Sequence, residues 1–535
     1  MRTLATLPLA VVLLLPLLAS LLFILPGVAD LGSFRALANH PQFWGALALS
    51  LATGLASTAG SLVLALGIIF AAKGKHLSSR AGLFLAVPHV SFAIGLAFLI
   101  MPAGLLARAV AQAAGWTMPP QWVTTQDPWG LALAAALVLK ETPFLVWAFA
   151  SLLAREDLAA GFSGQRAVAR SLGHGEASTF LRVIVPQLLP QALGPLIAVL
   201  AYGMTVVDMA LVIGPTQPPT LAQLAWTYLS DAEPATVARG AAGVLVLCAV
   251  VAAIFAAASV VLIFSRTHLH RFYAASPRHG AGHGGAARLL WPALLAIYVA
   301  VAAVLLLQSV AAQWPFPYLL PNVSTLHAWT HLLSDPRPVM TSMALALSTT
   351  AFAVGATVIW LEWAPRAMDR AMTLSALAAV TIPMLLIALG EYRAFLALDL
   401  TGTAVALWTA HAVPVCAYVF LLLARPYRAY GTQWAVVAAG LQQGRARFLW
   451  RVKWPMLKGP VWAAAAVGFA VSVGQYVPAQ LAAAGRFSTL PMEAVTLSSG
   501  GNRPLLAVYG IALMALPLGA FLIAARAGRS RWSAP

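Results

Sequence analysis

The stretch Ala167–Pro186, AVARSLGHGEASTFLRVIVP, is a polar, basic interruption in an otherwise apolar chain, and a weaker copy, VVAAGLQQGRARFLWRVKWP, returns at Val436–Pro455. Aligned on their last prolines (455 − 186 = 269), the copies share Val168/Val437, Ala169/Ala438, Leu172/Leu441, Gly175/Gly444, Ala177/Ala446, Arg182/Arg451, Val183/Val452 and Pro186/Pro455. So many identities in so short a window point to an internal duplication. Around these segments the chain is 61% hydrophobic and only 9% charged, with a mean hydropathy of +0.85. A soluble domain carries roughly 25% charged residues. The apolar runs are long enough to cross a hydrocarbon core of about 30 Å, and over such lengths only helices satisfy their own backbone.

An all-α polytopic membrane protein is therefore expected, with spans near 5–26, 46–71, 82–106, 129–153, 190–213, 240–264, 289–310, 339–361, 371–390, 402–424, 460–484 and 505–525. The first run is longer than the usual core of a secretory signal, and losing it would spoil the repeat. The net charge of +17 is explained by topology and needs no nucleic acid. With the N-terminus in the cytoplasm, 24 of the 32 Lys and Arg residues fall inside, as the positive-inside rule requires, and both termini are cytoplasmic. Cys248 and Cys416 fall within spans and form no disulfide or metal pattern.

Between spans six and seven, Arg266–Arg288 is basic, glycine-containing and aperiodic. It is expected to be a flexible cytoplasmic linker between a first repeat, 1–265, and a second, 289–535, each of six helices. His268, His270, His279 and His283 in it are irregularly spaced and lack the partners of a metal site. Six spans per half makes the repeats parallel, so segments 154–189 and 425–459 both face the cytoplasm. Lys140-Glu141-Thr142-Pro143 corresponds to His411-Ala412-Val413-Pro414, and Thr220-Leu221 to Thr489-Leu490.

Ala167–Leu172 favours helix, Gly173 suits the left-handed residue that ends one, and a second short helix runs from Glu176 to Pro186. The result is a helix–turn–helix on the membrane surface. Its apolar residues Ala169, Leu172, Phe180 and Ile184 are expected to fill a partner's groove, with Arg170 and Arg182 at the rim.

The order of small residues, Gly173, Phe180 and Pro186 resembles the coupling loop of the membrane subunits of binding-protein-dependent ABC importers. The fused halves, with segments such as Tyr202–Leu221 and Phe469–Leu490 after the loops, are similar to the ferric-iron and thiamine permease group over nearly the whole chain. The resemblance implies coupling residues Ala169, Leu172, Gly173, Phe180 and Pro186 in the first loop, and Leu441, Gly444, Arg451 and Pro455 in the second. It also implies two separate ATPase subunits, a periplasmic or lipid-anchored solute-binding protein, a bacterial inner-membrane location and a small polar or charged solute. The family's usual glutamate is Ala167 and Val436 here, its turn glycine is Gln442 in the second loop, and Leu449 stands in place of the aromatic residue.

No G-x-x-x-x-G-K-[ST] loop occurs, since Gly74-Lys75 precedes His76 and lacks the upstream glycine, so if ATP drives transport a second polypeptide is expected to supply it. No cofactor is expected. An ion-coupled secondary transporter would instead rely on the intramembrane groups Lys140, Glu141, Asp208 and His411. That alternative gives no reason for a repeated cytoplasmic segment. An intramembrane enzyme would need a nucleophile–base set, and neither His411 nor His89 has a local carboxylate partner in sequence. Lys140, Glu141, Asp208, His411 and Gln475 are the candidate residues of a translocation path.

Overall fold

The computed structural model describes residues 2–28, 30–71, 77–274, 285, 287–429 and 445–528. Its principal helices in the first half are α1 (Arg2–Val28), α2 (Phe43–Ala71), α3 (Leu77–Leu85), α4 (His89–Ile100), α5 (Leu105–Ala114), α6 (Leu131–Leu153), α7 (Glu156–Ser171), α8 (Leu193–Thr205), α9 (Asp208–Ile213), α10 (Leu221–Leu229) and α11 (Pro234–Ala274). The second half contributes α12 (Ala287–Ser309), α13 (Arg337–Trp363), α14 (Asp369–Thr381), α15 (Met384–Ala397), α16 (Ala404–Ala429), α17 (Lys458–Val473), α18 (Val477–Ala483), α19 (Leu490–Ser498) and α20 (Arg503–Ala527). A small antiparallel ribbon, β1 (Ala311–Gln313) with β2 (Val323–Ser324), follows α12. The protein is thus an all-α polytopic membrane protein.

Among the described residues, ten helices are long and apolar enough to cross a membrane, and twelve spans result if each of two bent helix pairs is one span. The expected span 371–390 is one such pair, bent by 101° between Thr381 and Met384. Pro383 is the cause: it forces Ile382 into extended backbone and supplies no N–H to the helix before it. The expected linker also changes, because α11 continues through 266–274. The remaining linker, apart from 285 and 287–288, lies outside the described residues.

The chain divides into two compact units, and they do not follow the expected divisions 1–265 and 289–535. One unit comprises Asp30–Leu85 and Phe92–Thr325, and the other Met1–Ala29, Ala86–Ser91 and Leu326–Pro535. Each unit therefore holds the first helix of the other repeat. In the unit built on Leu326–Pro535, α1 buries Leu9, Leu13 and Leu17, spaced one turn apart, in a core with Trp360, Met372 and Phe420. The Ser20 hydroxyl donates to Ile387 O at 3.2 Å, and Gly390 lies where any Cβ would strike the Ser20 backbone. In the other unit, Phe84 of α3 packs edge-on against Trp291 and Tyr298 of α12, and Phe92 packs against Tyr298.

Inside each unit the same contact opens the short helix after the candidate coupling segment. Leu221 N donates to Ser50 Oγ at 2.9 Å, and Leu490 N to Ser342 Oγ at 2.8 Å. The repeated Thr-Leu pairs thus mark helix starts held by a serine of α2 or α13. Thr220 closes a full capping box with Gln223, whereas Thr489 makes no side-chain cap bond.

A Gly390→Val substitution is expected to lower stability by about 1–3 kcal/mol, the usual cost of overpacking, through loss of the α1–α15 contact. Thermal unfolding in detergent checks it, with Gly519→Val, which meets open space, as the neutral control.

Candidate coupling segments and buried polar residues

The first segment is built from α7, a turn at Gly173 and a continuous but irregular helix to Ala192. Gly173 has φ +81, its N–H donates to Arg170 O at 3.0 Å, and His174 N donates to Ala169 O at 2.9 Å. Those two bonds form a Schellman ending, which needs a left-handed residue and so favours glycine. Glu176–Thr179 then starts a new helical turn, followed by a π-helical turn, Phe180–Ile184, and by Val185–Leu188. Pro186 explains the π turn. It offers no N–H to Arg182 O, and its ring would collide with that carbonyl in a regular helix. Widening by one residue lets the chain pass, with Val185 N donating to Phe180 O.

The burial pattern revises the expected contact face. Ala169, Phe180 and Ile184 are buried within this chain, and the Phe180 ring lies 5.3 Å from that of Phe70 in α2. They fasten the segment to its own unit and do not face a partner's groove. The exposed apolar residues are Leu172 (61% exposed), Val168 (59%) and Leu181 (59%). Val168 in the last turn of α7 and Leu172, its C-cap four residues on, share one face. Their spacing was the available sequence signal, since Ala169 is one position round the helix and turns inward. Arg170 and Glu176, both exposed, pair across the turn at 2.7 Å.

From Arg445 onward the second segment repeats this geometry. Arg445–Phe448 and the π turn Leu449–Lys453 fall at the same offset as Glu176–Thr179 and Phe180–Ile184 (445 − 176 = 269; 449 − 180 = 269). Pro455 stands where Pro186 does. Leu441 and Gly444, together with Val436 and Gln442, lie outside the described residues. The missing aromatic is not missing: Phe448, one residue before Leu449, is the buried ring. Arg451 is exposed within the π turn.

The two segments are fastened by different chemistry. In the second, Lys453 Nζ meets Glu362 Oε2 at 2.7 Å and sits 4.3 Å from the centre of the Tyr427 ring, while Tyr427 Oη donates to the same carboxylate oxygen at 2.9 Å. Arg428 grips Asp369 through Nε and Nη2 at 2.7 and 2.8 Å, and its Nη1 caps Leu361 O at 2.8 Å. The offset that relates Ser50 to Ser342 relates Phe70 to Glu362 (342 − 50 = 362 − 70 = 292). At the same place in the two repeats, a helix therefore offers a phenyl ring to the first segment and a carboxylate to the second.

The candidate path residues also diverge. Lys140, buried in α6, donates to Phe84 O at 3.1 Å. That carbonyl closes α3, where helix bonds run out before Pro88, and a cation suits a helix C-terminus. His411, its counterpart, instead pairs through Nδ1 with Ser472 Oγ at 2.9 Å, and Thr349 Oγ1 lies 3.4 Å from the same hydroxyl. Its Nε2 is buried with no hydrogen-bond partner among the described residues. Glu141 is buried beside Lys140. Asp208 is half-buried where α9 resumes after a break at Val206–Val207, and its Oδ1 accepts from Met209 N at 2.9 Å. Gln475 is buried three residues beyond Ser472, in the matching break between α17 and α18.

Lys140, Glu141 and Asp208 thus share one unit, on neighbouring helices α6 and α9, while His411 and Gln475 share the other. Glu391, buried in α15 with Oε1 unpaired among the described residues, escaped the sequence reading because the expected span stopped at 390. An acidic residue directly after Gly390 in an apolar run was the signal. Among the described residues, no three His, Cys, Asp or Glu side chains group as metal ligands would.

No family model matches the chain. It is similar to the inner membrane ABC transporter permease protein YnjC of Escherichia coli (strain K12), at 29% identity over 514 residues, covering 95% of this chain and 93% of that relative. The match supports a membrane permease of an ABC transporter. With the apolar helices, it also supports a multi-pass inner-membrane protein.

Substitutions at two positions test the segments themselves. Gly173→Val is expected to cost about 1–2 kcal/mol at the turn, since a left-handed backbone opposes a Cβ, and Gly173→Asn to cost clearly less. Hydrogen exchange over 168–176 reads both. Glu362→Gln leaves the Lys453 ammonium, whose side chain is 15% exposed, without its counter-charge. It is expected to destabilise the second segment on the order of 3 kcal/mol, seen as faster exchange over 447–457 with 176–188 unchanged.

Proposed function

We propose that this chain is the complete membrane part of an ABC importer, two parallel permease repeats fused in one polypeptide, and that it engages two separate ATPase subunits through 154–189 and 425–459. The observation that carries the reading is the recurrence, at one offset, of the same helix, π turn and proline on a chain without a phosphate-binding loop. The first segment runs on into α8 and the second reaches α17 across a 63° bend, so a push on either segment would reach a helix whose far end breaks next to Asp208 or at Gln475. Val168, Leu172 and Leu181 would enter the ATPase cleft in the first segment, and Gly173 with Pro186 would hold them in place. Ala169 and Phe180 would anchor the segment from behind. In the second segment Leu441, Gly444, Arg451 and Pro455 would take the corresponding parts.

The solute is read as small and polar or charged, a thiamine-like compound or ferric iron, delivered by a periplasmic or lipid-anchored binding protein. Lys140, Glu141, Asp208, His411 and Gln475 are the residues proposed to line its path. Both termini would lie in the cytoplasm.

Purification with the cognate ATPase is expected to give one copy of this chain with two ATPase subunits. Leu172→Glu combined with Leu181→Glu is expected to cut ATPase recovery by about tenfold or more while leaving membrane insertion intact, because each change puts a charge into a desolvated contact. A complex with a single ATPase, or undiminished recovery with the double variant, would overturn the reading.

A further inference from the structure

Two segments of the unit built on Asp30–Thr325 expose apolar side chains without belonging to a spanning helix. One, Trp116–Leu131, joins α5 to α6, and the other, Trp314–Leu320, forms the loop of the β1–β2 ribbon after α12. Counting spans from the first coupling segment places both on the opposite membrane face. They also meet: Arg108 of α5 donates through Nη1 to Pro315 O at 2.7 Å and Tyr318 O at 2.8 Å, through Nη2 to Trp314 O at 2.8 Å, and through Nε to Ala103 O at 2.9 Å. Its guanidinium carbon lies 4.7 Å from the centre of the Trp314 ring. Arg108 itself is buried.

This construction answers a specific problem. Irregular backbone is costly wherever water is scarce, because its carbonyls and N–H groups lack partners. Here the guanidinium, with its fork of donors, satisfies three loop carbonyls at once. Prolines 119, 120, 128, 315, 317 and 321 remove donors that would otherwise need partners. The single acid of Trp116–Leu131 is Asp127, which is turned inward to accept from Leu131 N and Ala132 N at 2.8 Å each, and Trp314–Leu320 carries no charge at all. With its polar groups folded inside, the pair presents Met118, Trp122, Val123, Trp129, Tyr318 and Leu320 outward, Trp129 at 74% exposure. The outer face of α5 continues the same surface with Leu106 and Val110.

We propose that these two segments form a collar seated in the headgroup region of the bilayer, on the face opposite the coupling segments, with Arg108 as its internal clasp. Tryptophan and tyrosine favour this depth, and the collar is continuous with the spanning helices α5, α6 and α12. A soluble partner bringing its own hydrogen-bonding groups would not require the internal satisfaction of loop carbonyls, and a surface without charge offers such a partner nothing to steer by.

The test uses the full chain carrying Cys248→Ala and Cys416→Ala in lipid nanodiscs, with an environment-sensitive fluorophore attached at Leu320→Cys or Trp122→Cys. Asp231→Cys, exposed on the same face between α10 and α11, is the aqueous control. Blue-shifted emission at 320 and 122 is expected. Quenching there by lipid nitroxides placed near the glycerol end of the acyl chain should be roughly threefold stronger than at 231, with the reverse order for soluble iodide. An Arg108→Lys variant keeps the charge but loses the fork, and is expected to bring the iodide quenching at 320 toward the control value. Iodide quenching at 320 and 122 equal to that at 231 would overturn the collar. So would shielding that arises only when a soluble protein fraction is added, which would assign the surface to a protein.

Discussion

Hydrocarbon supplies no hydrogen bonds, and the structure is governed by how each break in its helices is made good. Pro143 leaves Leu139 O without a helix partner, and the Tyr298 hydroxyl lies 3.4 Å from it. The end of α3 before Pro88 receives the Lys140 ammonium. The end of α13 receives Arg428. Pro186 and Pro455 are each preceded by a π turn that accommodates the missing donor. One of the buried polar groups singled out as path residues, Lys140, thus has a local duty to the backbone.

The same requirement explains how one duplicated plan supports two unlike halves. Proline position and helix order are shared, so the widened turn and the serine-held helix start recur at matching offsets. What fastens each coupling segment to its unit is free to differ. The first uses the Phe70–Phe180 contact, and the second the carboxylate of Glu362 with Lys453, Tyr427 and, alongside, Arg428 and Asp369. An apolar contact tolerates small slides at little cost. A partly buried ion pair with defined geometry does not, because separating it strands a desolvated charge.

The exchange of first helices bears on folding. Leu9, Leu13 and Leu17 of α1 reach their core only once α13, α14 and α16 exist, while α12 completes the unit that begins at Asp30. Neither repeat can bury all its apolar surface alone, so the fused chain completes its two units together.

Composition and run length alone determined the membrane class and the helical fold, since a continuous apolar run of about 20 residues satisfies its own backbone in lipid as a helix. The recurrence at offset 269 and the left-handed turn at Gly173 were legible because short-range chemistry, a glycine and a proline at fixed spacing, sets them. Residue 173 needed no tertiary information. Which side of each helix faces inward did need it: Phe180 and Leu181 are equally apolar, and only the position of Phe70 decides that the first is buried and the second exposed. The burial of Glu391, the divergent partners of Lys140 and His411, and the lodging of α1 with the second repeat are likewise set by contacts between residues far apart in sequence. Local patterns do not encode them, because a spanning helix is apolar on nearly every side and so carries little periodic signal of where its neighbours lie.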